Sequence, residues 1–496
     1  MSEAAIRGGT SRGDESGQIQ QAGLRGYLQA LERQDPGAVW RIEAPLAVRH
    51  EITALQEGLE LSGRRPVVVV ERPVLDGGAV SPVPVVTNLQ ASRVLAAAVL
   101  GVRDHRRAAV ELAGRMYQPI DPVVVPRAEA PVAERFVTDT DVDLLQLPAL
   151  VQHHLDPGPY LTAAHATTLD PDSSIDNTAI QRAWVCGPTE LRFYPYAGSH
   201  NMLNIRKWWS RGEDAPIALW LGHHPAVDVG TNQKISYPES HWGRAGALLG
   251  EPVRLMPTQL FGHDLLVPAD CEIVLEGAVL RDVWRAEGPF GEYTGYLGAQ
   301  RPSLVIEVRA MSMRQNPIYH DYGSGLADML VPDNLLLEAA LYEALSTKIR
   351  SVRTVHVPSS GRRFHCYVQL DHPGFAEPRA ALEIVLENRR IKHAVVVDED
   401  VDVFDDRQVL WAVATRVQWE RDVIVRTGCD CSPADPSLPA GQRVSDKAGI
   451  DATLPCASVP SAPRPAPAVS HAGRGFDPLA LVRRLAGARL VDFIAE

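Results

Sequence analysis

Two carboxylates five residues apart, Glu287 and Glu292, flank the turn sequence Gly288-Pro289-Phe290-Gly291 within a run of small and aromatic residues. Proline fixes one backbone angle and glycine opens conformations closed to other residues, so a turn of this kind aims both acids. Carboxylates held on rigid backbone can divide labour, one staying ionised while the other carries a proton. Phe290, Tyr293 and Tyr296 favour burial over the plainer alternative, a surface turn with two solvated glutamates. Arg182 enters an apolar strand pattern five residues after Asn177. A buried arginine needs a partner, because stranding its charge costs several kcal/mol. The two glutamates and a substrate carboxylate are both candidates, and a salt bridge with no chemistry is the competing reading.

A second polar set surrounds His200, which sits in a turn-like setting, with His223, His224 and His241 close in sequence. A single loop histidine is usually no more than that. Asparagine, histidine and carboxylate together would suit a hard divalent cation such as Mg²⁺ or Mn²⁺, above all one bridging a phosphate. Two generic signatures are missing: no glycine loop ending in Lys-Ser/Thr and no His-Glu-x-x-His.

These residues need a frame. The chain has 496 residues, enough for two or three domains. Hydrophobic content of 45% and charged content of 22% are those of a soluble globular protein. A net charge of -12 argues against nucleic acid or anionic membrane as the main partner. No apolar run is long enough to span a bilayer, and residues 1–23 form a polar, glycine-rich tail without the apolar core of a secretory signal. Six scattered cysteines make no disulfide framework, and the close pair Cys429 and Cys431 is weak evidence for zinc. A reducing cytoplasm fits best.

Alternating helix and strand patterns over residues 24–131 predict an N-terminal α/β domain, with helices at Leu24–Leu31, Glu51–Leu61 and Ala91–Leu100 and strands at Val39–Ile42 and Pro66–Glu71. Residues 132–330 change character. Short β runs between turn signals (161–168, 179–185, 217–221, 271–275 and 303–310) favour a barrel or sandwich. From residue 331 to 456 helix and strand alternate again, predicting a second α/β domain. A Pro/Ala-rich linker over 457–475 and an amphipathic helix within 476–496 complete the chain.

In these motifs the chain resembles the UbiD family of prenylated-flavin-dependent decarboxylases. The resemblance runs from about residue 25 to 455, on Glu287–Tyr296, Val267–Gly277, Gly158-Pro-Tyr160, Asn177-x4-Arg182, Ala245–Pro252 and Lys447–Thr453. It implies a mixed α/β fold with a central flavin-reductase-like split β-barrel and a C-terminal α/β domain that drives oligomerisation. It implies prenylated FMN as cofactor, contacted by Asn177, Thr178, Ile180, Gln181, Arg182, Ser199, His200 and Lys447, with Lys392 a further phosphate contact. Arg182, paired with Glu287, would hold the substrate carboxylate, and Glu292 would deliver a proton once carbon dioxide has left. Decarboxylation leaves electrons on carbon, and no side chain is a good sink for them, which is the flavin's part.

The family's metal, Mn²⁺ or Mg²⁺ with K⁺ nearby, would take Asn177, His200 and a glutamate as ligands. Here the glutamate position falls on His241, with Glu239 two residues earlier. Either Glu239 substitutes, or His241 binds a softer metal, or the phosphate is held without a conventional metal. The resemblance further implies an unsaturated or aromatic carboxylic acid as substrate, a flavin prenyltransferase as cofactor supplier and a homodimer or larger homo-oligomer. The segment Leu326–Leu337 is the expected pocket lining. The Ala/Arg/Pro-rich composition suggests a high-GC bacterial source and a secondary-metabolism role, as in tautomycetin-pathway members. The rivals are a family member that binds flavin only as a scaffold or partner subunit, and a metal-dependent hydrolase built on the histidines.

Overall fold

The computed structural model describes residues 23–439 and 442–454. Most of the predicted tail, the 457–475 linker and the terminal helix lie outside the described residues.

The run Val67–Val70 is buried on both faces, as β-branched residues between two layers must be. It pairs parallel with Val39–Ile42 and antiparallel with Val85–Thr87. Tyr319–His320 adds a fourth strand beside Val85–Thr87, so the chain returns to this sheet after the central region. Helices Gly23–Gln34, Glu51–Leu61 and Arg93–Val99 accompany it, the last capped by Ser92 Oγ, which accepts from Leu95 N at 3.1 Å.

The central sheet has nine strands. Its spine is two long neighbours, Ile273–Glu287 and Arg301–Met313, each far longer than the short run read from sequence. The path is open, not a closed ring, and its ends carry the point of interest. At one end Asp176–Ile180 pairs with His165–Leu169; at the other Ala183–Val185 pairs with Tyr160–Leu161. Only Gln181 and Arg182 join Ile180 to Ala183, a span of about 10 Å at full extension. The two ends are therefore halves of one long hairpin, and the sheet curls to bring them together. The expected single strands at 161–168 and 179–185 are each broken at this seam, where Thr162–Ala164 faces Gln181–Arg182. One hydrogen bond, Gln181 N to Ala164 O at 2.8 Å, crosses it.

Beyond the seam the helix Ala327–Ser346 leads to a five-stranded sheet ordered Val352–His356, His365–Leu370, His393–Asp398, Val444–Asp451 and Val423–Asp430. Pro332 lies inside this helix. Tertiary partners hold the helix start. Glu60 Oε2 accepts from Ala327 N at 3.0 Å, and buried Asp328 accepts from Asn88 N at 2.8 Å and Gln90 N at 3.1 Å.

Candidate active site

Glu287 is the last residue of the strand Ile273–Glu287, opposite Arg301. Gly288, at φ +84°, takes a conformation that side chains disfavour and turns the chain. Gly291 lies against the ring of His153, where any Cβ would overlap it. Glu292 is thereby returned toward the seam, where Arg182 waits. Arg182 Nε donates to Glu287 Oε1 at 3.2 Å and Nη1 to Glu292 Oε1 at 3.0 Å, while its guanidinium lies 4.9 Å from the centre of the Phe290 ring. Desolvation works against its charge, but Glu292 and Glu287 outweigh that and hold the guanidinium above its ordinary value.

The two acids differ in setting. Glu287 is 1% exposed, accepts from Tyr160 Oη at 3.1 Å, and has Oε2 buried without a partner. Burial, then the Glu287 charge, push the Tyr160 phenol up, so it stays a donor. Glu292 keeps about a fifth of its side chain exposed and has a second cation, Arg301 Nη2, at 3.9 Å. Arg182 Nη2 makes no hydrogen bond among the described residues. A guanidinium with one free edge beside two carboxylates can receive a third anion and place it next to a proton carrier.

Arg182 and Glu292 line a cavity of about 230 Å³, with Glu287 buried behind the guanidinium. Ile180, Gln181 and Thr162 form the seam wall, Phe290 and Tyr322 add aromatic faces, and Met329, Pro332, Asp333 and Leu336 close it, within the segment expected from sequence. Arg363, Asp333, Asn232 and Leu336 also line a second cavity of about 450 Å³, which continues to Lys234, Arg389 and Arg390. Apolar and aromatic walls running into a cationic end fit a planar ring system carrying a phosphate.

Not every expected contact residue meets this space. Thr178 is fully buried and bonded to Thr167 Oγ1 and Trp220 Nε1. Ser199 caps the helix His200–Ser210, its Oγ accepting from Met202 N at 3.3 Å, so His200 opens a helix instead of lying in a turn. Lys447 is buried and donates to Leu386 O at 3.0 Å and Asn388 O at 2.8 Å, while Lys392 pairs with Asp435 at 2.9 Å.

The expected metal ligands are differently equipped. Asn177 Nδ2 donates to Asn201 Oδ1 at 2.6 Å, leaving Asn177 Oδ1 buried without a partner. His241 is buried, its Nε2 facing Gln233 O at 3.1 Å and its Nδ1 unpartnered, and burial pushes it down to about 3. Burial, then the Lys234 charge, also push His200 down. Glu239 is held by Arg244 at 3.1 Å. With no free carboxylate, this donor set does not fit Mg²⁺ or Mn²⁺, which prefer oxygen.

One cluster gave no signal in sequence. Asp228, 1% exposed, sits on the cavity wall between His165 Nε2 and His320 Nδ1, each at 3.8 Å, and neither of its oxygens has a hydrogen-bond partner. Burial, reinforced by Asp328, pushes its carboxyl well above the ordinary range, and burial pushes both histidines down to about 3.

Residues 123–326 match the 3-octaprenyl-4-hydroxybenzoate carboxy-lyase Rift-related domain, and residues 333–452 match the C-terminal domain of the same enzyme. The chain is 30% identical to the anhydromevalonate phosphate decarboxylase of Methanothermobacter thermautotrophicus over 427 residues, covering 84% of this chain and 95% of that protein. It is 32% identical to the phenolic acid decarboxylase of a Streptomyces species, covering 67% of this chain and 71% of that one. Among solved structures it is similar to the UbiD-class enzyme HmfF from Pelotomaculum thermopropionicum in complex with FMN, with a TM-score of 0.83 and 33% identity over 91% of this chain and 98% of that one. The mixed α/β architecture is shared, and this chain belongs to the UbiD family and is a carboxy-lyase of that family.

Proposed function

We propose that this chain removes carbon dioxide from an α,β-unsaturated or aromatic carboxylic acid with the help of prenylated FMN. The carrying observation is Arg182, bonded to both Glu287 and Glu292 on the wall of a cavity that has a cationic end. Solved complexes of HmfF with FMN and, in an evolved dimeric form, with prenylated FMN support the choice of cofactor. When bound, that cofactor supplies the electron sink that decarboxylation needs. Ile180, Gln181 and Phe290 would bound its ring system.

The chain's own residues do the rest. Arg182 binds the substrate carboxylate through its free edge, and Glu287 fixes the guanidinium. The aromatic walls exclude water. Glu292, more open than Glu287, carries the proton to the carbon that carbon dioxide has left. Both acids and the arginine are in place, which favours an enzyme over a flavin-binding scaffold. A homo-oligomer and a flavin prenyltransferase as supplier belong to the same reading.

The test is to co-express the chain with a flavin prenyltransferase, record its absorbance spectrum and measure carbon dioxide release from cinnamic, heteroaromatic and polyene acids. Flavin absorbance and release from at least one acid are expected. Glu292→Gln should bind flavin normally and lose turnover by about 10²-fold or more, the usual size of acid–base catalysis. Unchanged turnover in that variant would overturn the proton-carrier role.

A further inference from the structure

The family's metal position and this chain's donor atoms disagree, and the disagreement has a cation next to it. We propose that the Lys234 ammonium, backed by Arg363, Arg389 and Arg390, binds the cofactor phosphate directly, so that this chain holds its flavin without a divalent metal. The inference rests on the flavin reading given above.

Three observations carry it. First, the charge in this cavity is unbalanced. Lys234, Arg389 and Arg390 form no side-chain hydrogen bond or ion pair among the described residues, and only Arg363 is paired, with Asp333. Arg363 Nε is itself buried without a partner. Such a group of cations on one cavity wall repels itself and favours an anion that answers it. Second, the cluster adjoins the expected metal ligands. Lys234 follows Gln233, whose carbonyl faces His241 Nε2 at 3.1 Å. His241 must carry its proton on Nε2 to meet that carbonyl, which leaves Nδ1 as an acceptor. Asn177 Oδ1 is an acceptor as well, and both are buried and unanswered. An ammonium offers what these acceptors and a phosphate both need, positive charge with three donors. Third, the cavity is continuous with the one lined by Arg182, through Asn232, Asp333, Leu336 and Arg363. A ligand with its ring at Arg182 can set its phosphate at Lys234.

Commercial FMN and riboflavin, which lacks the phosphate, separate the possibilities by fluorescence titration of the full chain. The wild-type protein, stripped with EDTA and checked for metal by elemental analysis, is expected to bind FMN as tightly as before stripping. Lys234→Met combined with Arg390→Met should weaken FMN binding roughly tenfold or more and leave riboflavin binding unchanged. Lys234→Arg should keep most of the affinity for FMN. Added salt should weaken FMN but not riboflavin binding to the wild-type chain, a readout that needs no variant. Loss of FMN binding on stripping, restored by Mn²⁺, would overturn the inference, as would wild-type FMN affinity in a double variant of unchanged melting temperature. Binding of neither compound would instead overturn the flavin reading itself.

Discussion

Arg182 satisfies two carboxylates with one guanidinium, and that sets what substitutions there do. Arg182→Ala would leave buried Glu287 with only the Tyr160 hydroxyl as partner, a loss of about 3–5 kcal/mol, visible as a lowered urea midpoint. Arg182→Lys should fold but fail to turn over, because one ammonium cannot span Glu287 and Glu292 in the fixed fork of arginine. Asp228 makes the opposite case, a buried acid with no hydrogen-bond partner. Its folded-state pKa lies above the ordinary 3.8, so its stabilising share is whole below that value and is lost as pH rises toward the folded one. Asp228→Asn, which cannot ionise, should therefore gain stability relative to wild type between about pH 5 and about pH 8, measured by urea unfolding. An identical difference at both pH values would refute this. The trio was legible in sequence because proline and glycine isolate the two glutamates and an arginine interrupts an apolar strand. Asp228 was not, since one aspartate in a short apolar helix looks like any helix-surface acid until the fold buries it.

At the scale of elements, the strand Ile273–Glu287 delivers the turn that holds both glutamates, and its register shifts between Glu276 and Gly277. A methyl group at Gly277 would overlap the Glu307 carbonyl. Gly277→Ala should lower stability by about 1–3 kcal/mol and slip the strand that ends at Glu287, so melting temperature and activity should fall together. Ser199→Ala removes the cap of the helix that carries His200 and should cost about 1 kcal/mol. Strand and helix positions were legible wherever apolar runs or periodicity were continuous, as at Val67–Val70 and Glu51–Leu61. The breaks at Thr162–Ala164 and Gln181–Arg182 were not. They arise where a curled sheet fails to pair with itself, a property of the whole sheet and not of local residues. The helix behind Ser199 was hidden by the polar residues at its start.

Across the whole molecule, the candidate site is assembled from distant segments. Tyr293, next to Glu292, hydrogen-bonds Ser432 at 2.6 Å, and Arg362 donates to Gly325 O, tying the turn and the following loop to the C-terminal sheet. Leu410, Trp411 and Trp419 are large apolar side chains left exposed on that region. If the chain self-associates there, Leu410→Glu with Trp419→Glu should lower the mass seen by sedimentation while the fold persists; unchanged mass would place the interface elsewhere. The arrangement of Arg182 between two glutamates has one more consequence, in the molecule's proton inventory. An acid that docks on the guanidinium adds a third negative charge to a site whose cation is already shared. Docking and protonation then favour one another, so each should promote the other to the same extent. Binding of an accepted acid should draw a proton from the buffer and weaken as the solution becomes more alkaline. On this view a docked carboxylate favours a proton on the carboxyl group beside it before any bond is broken.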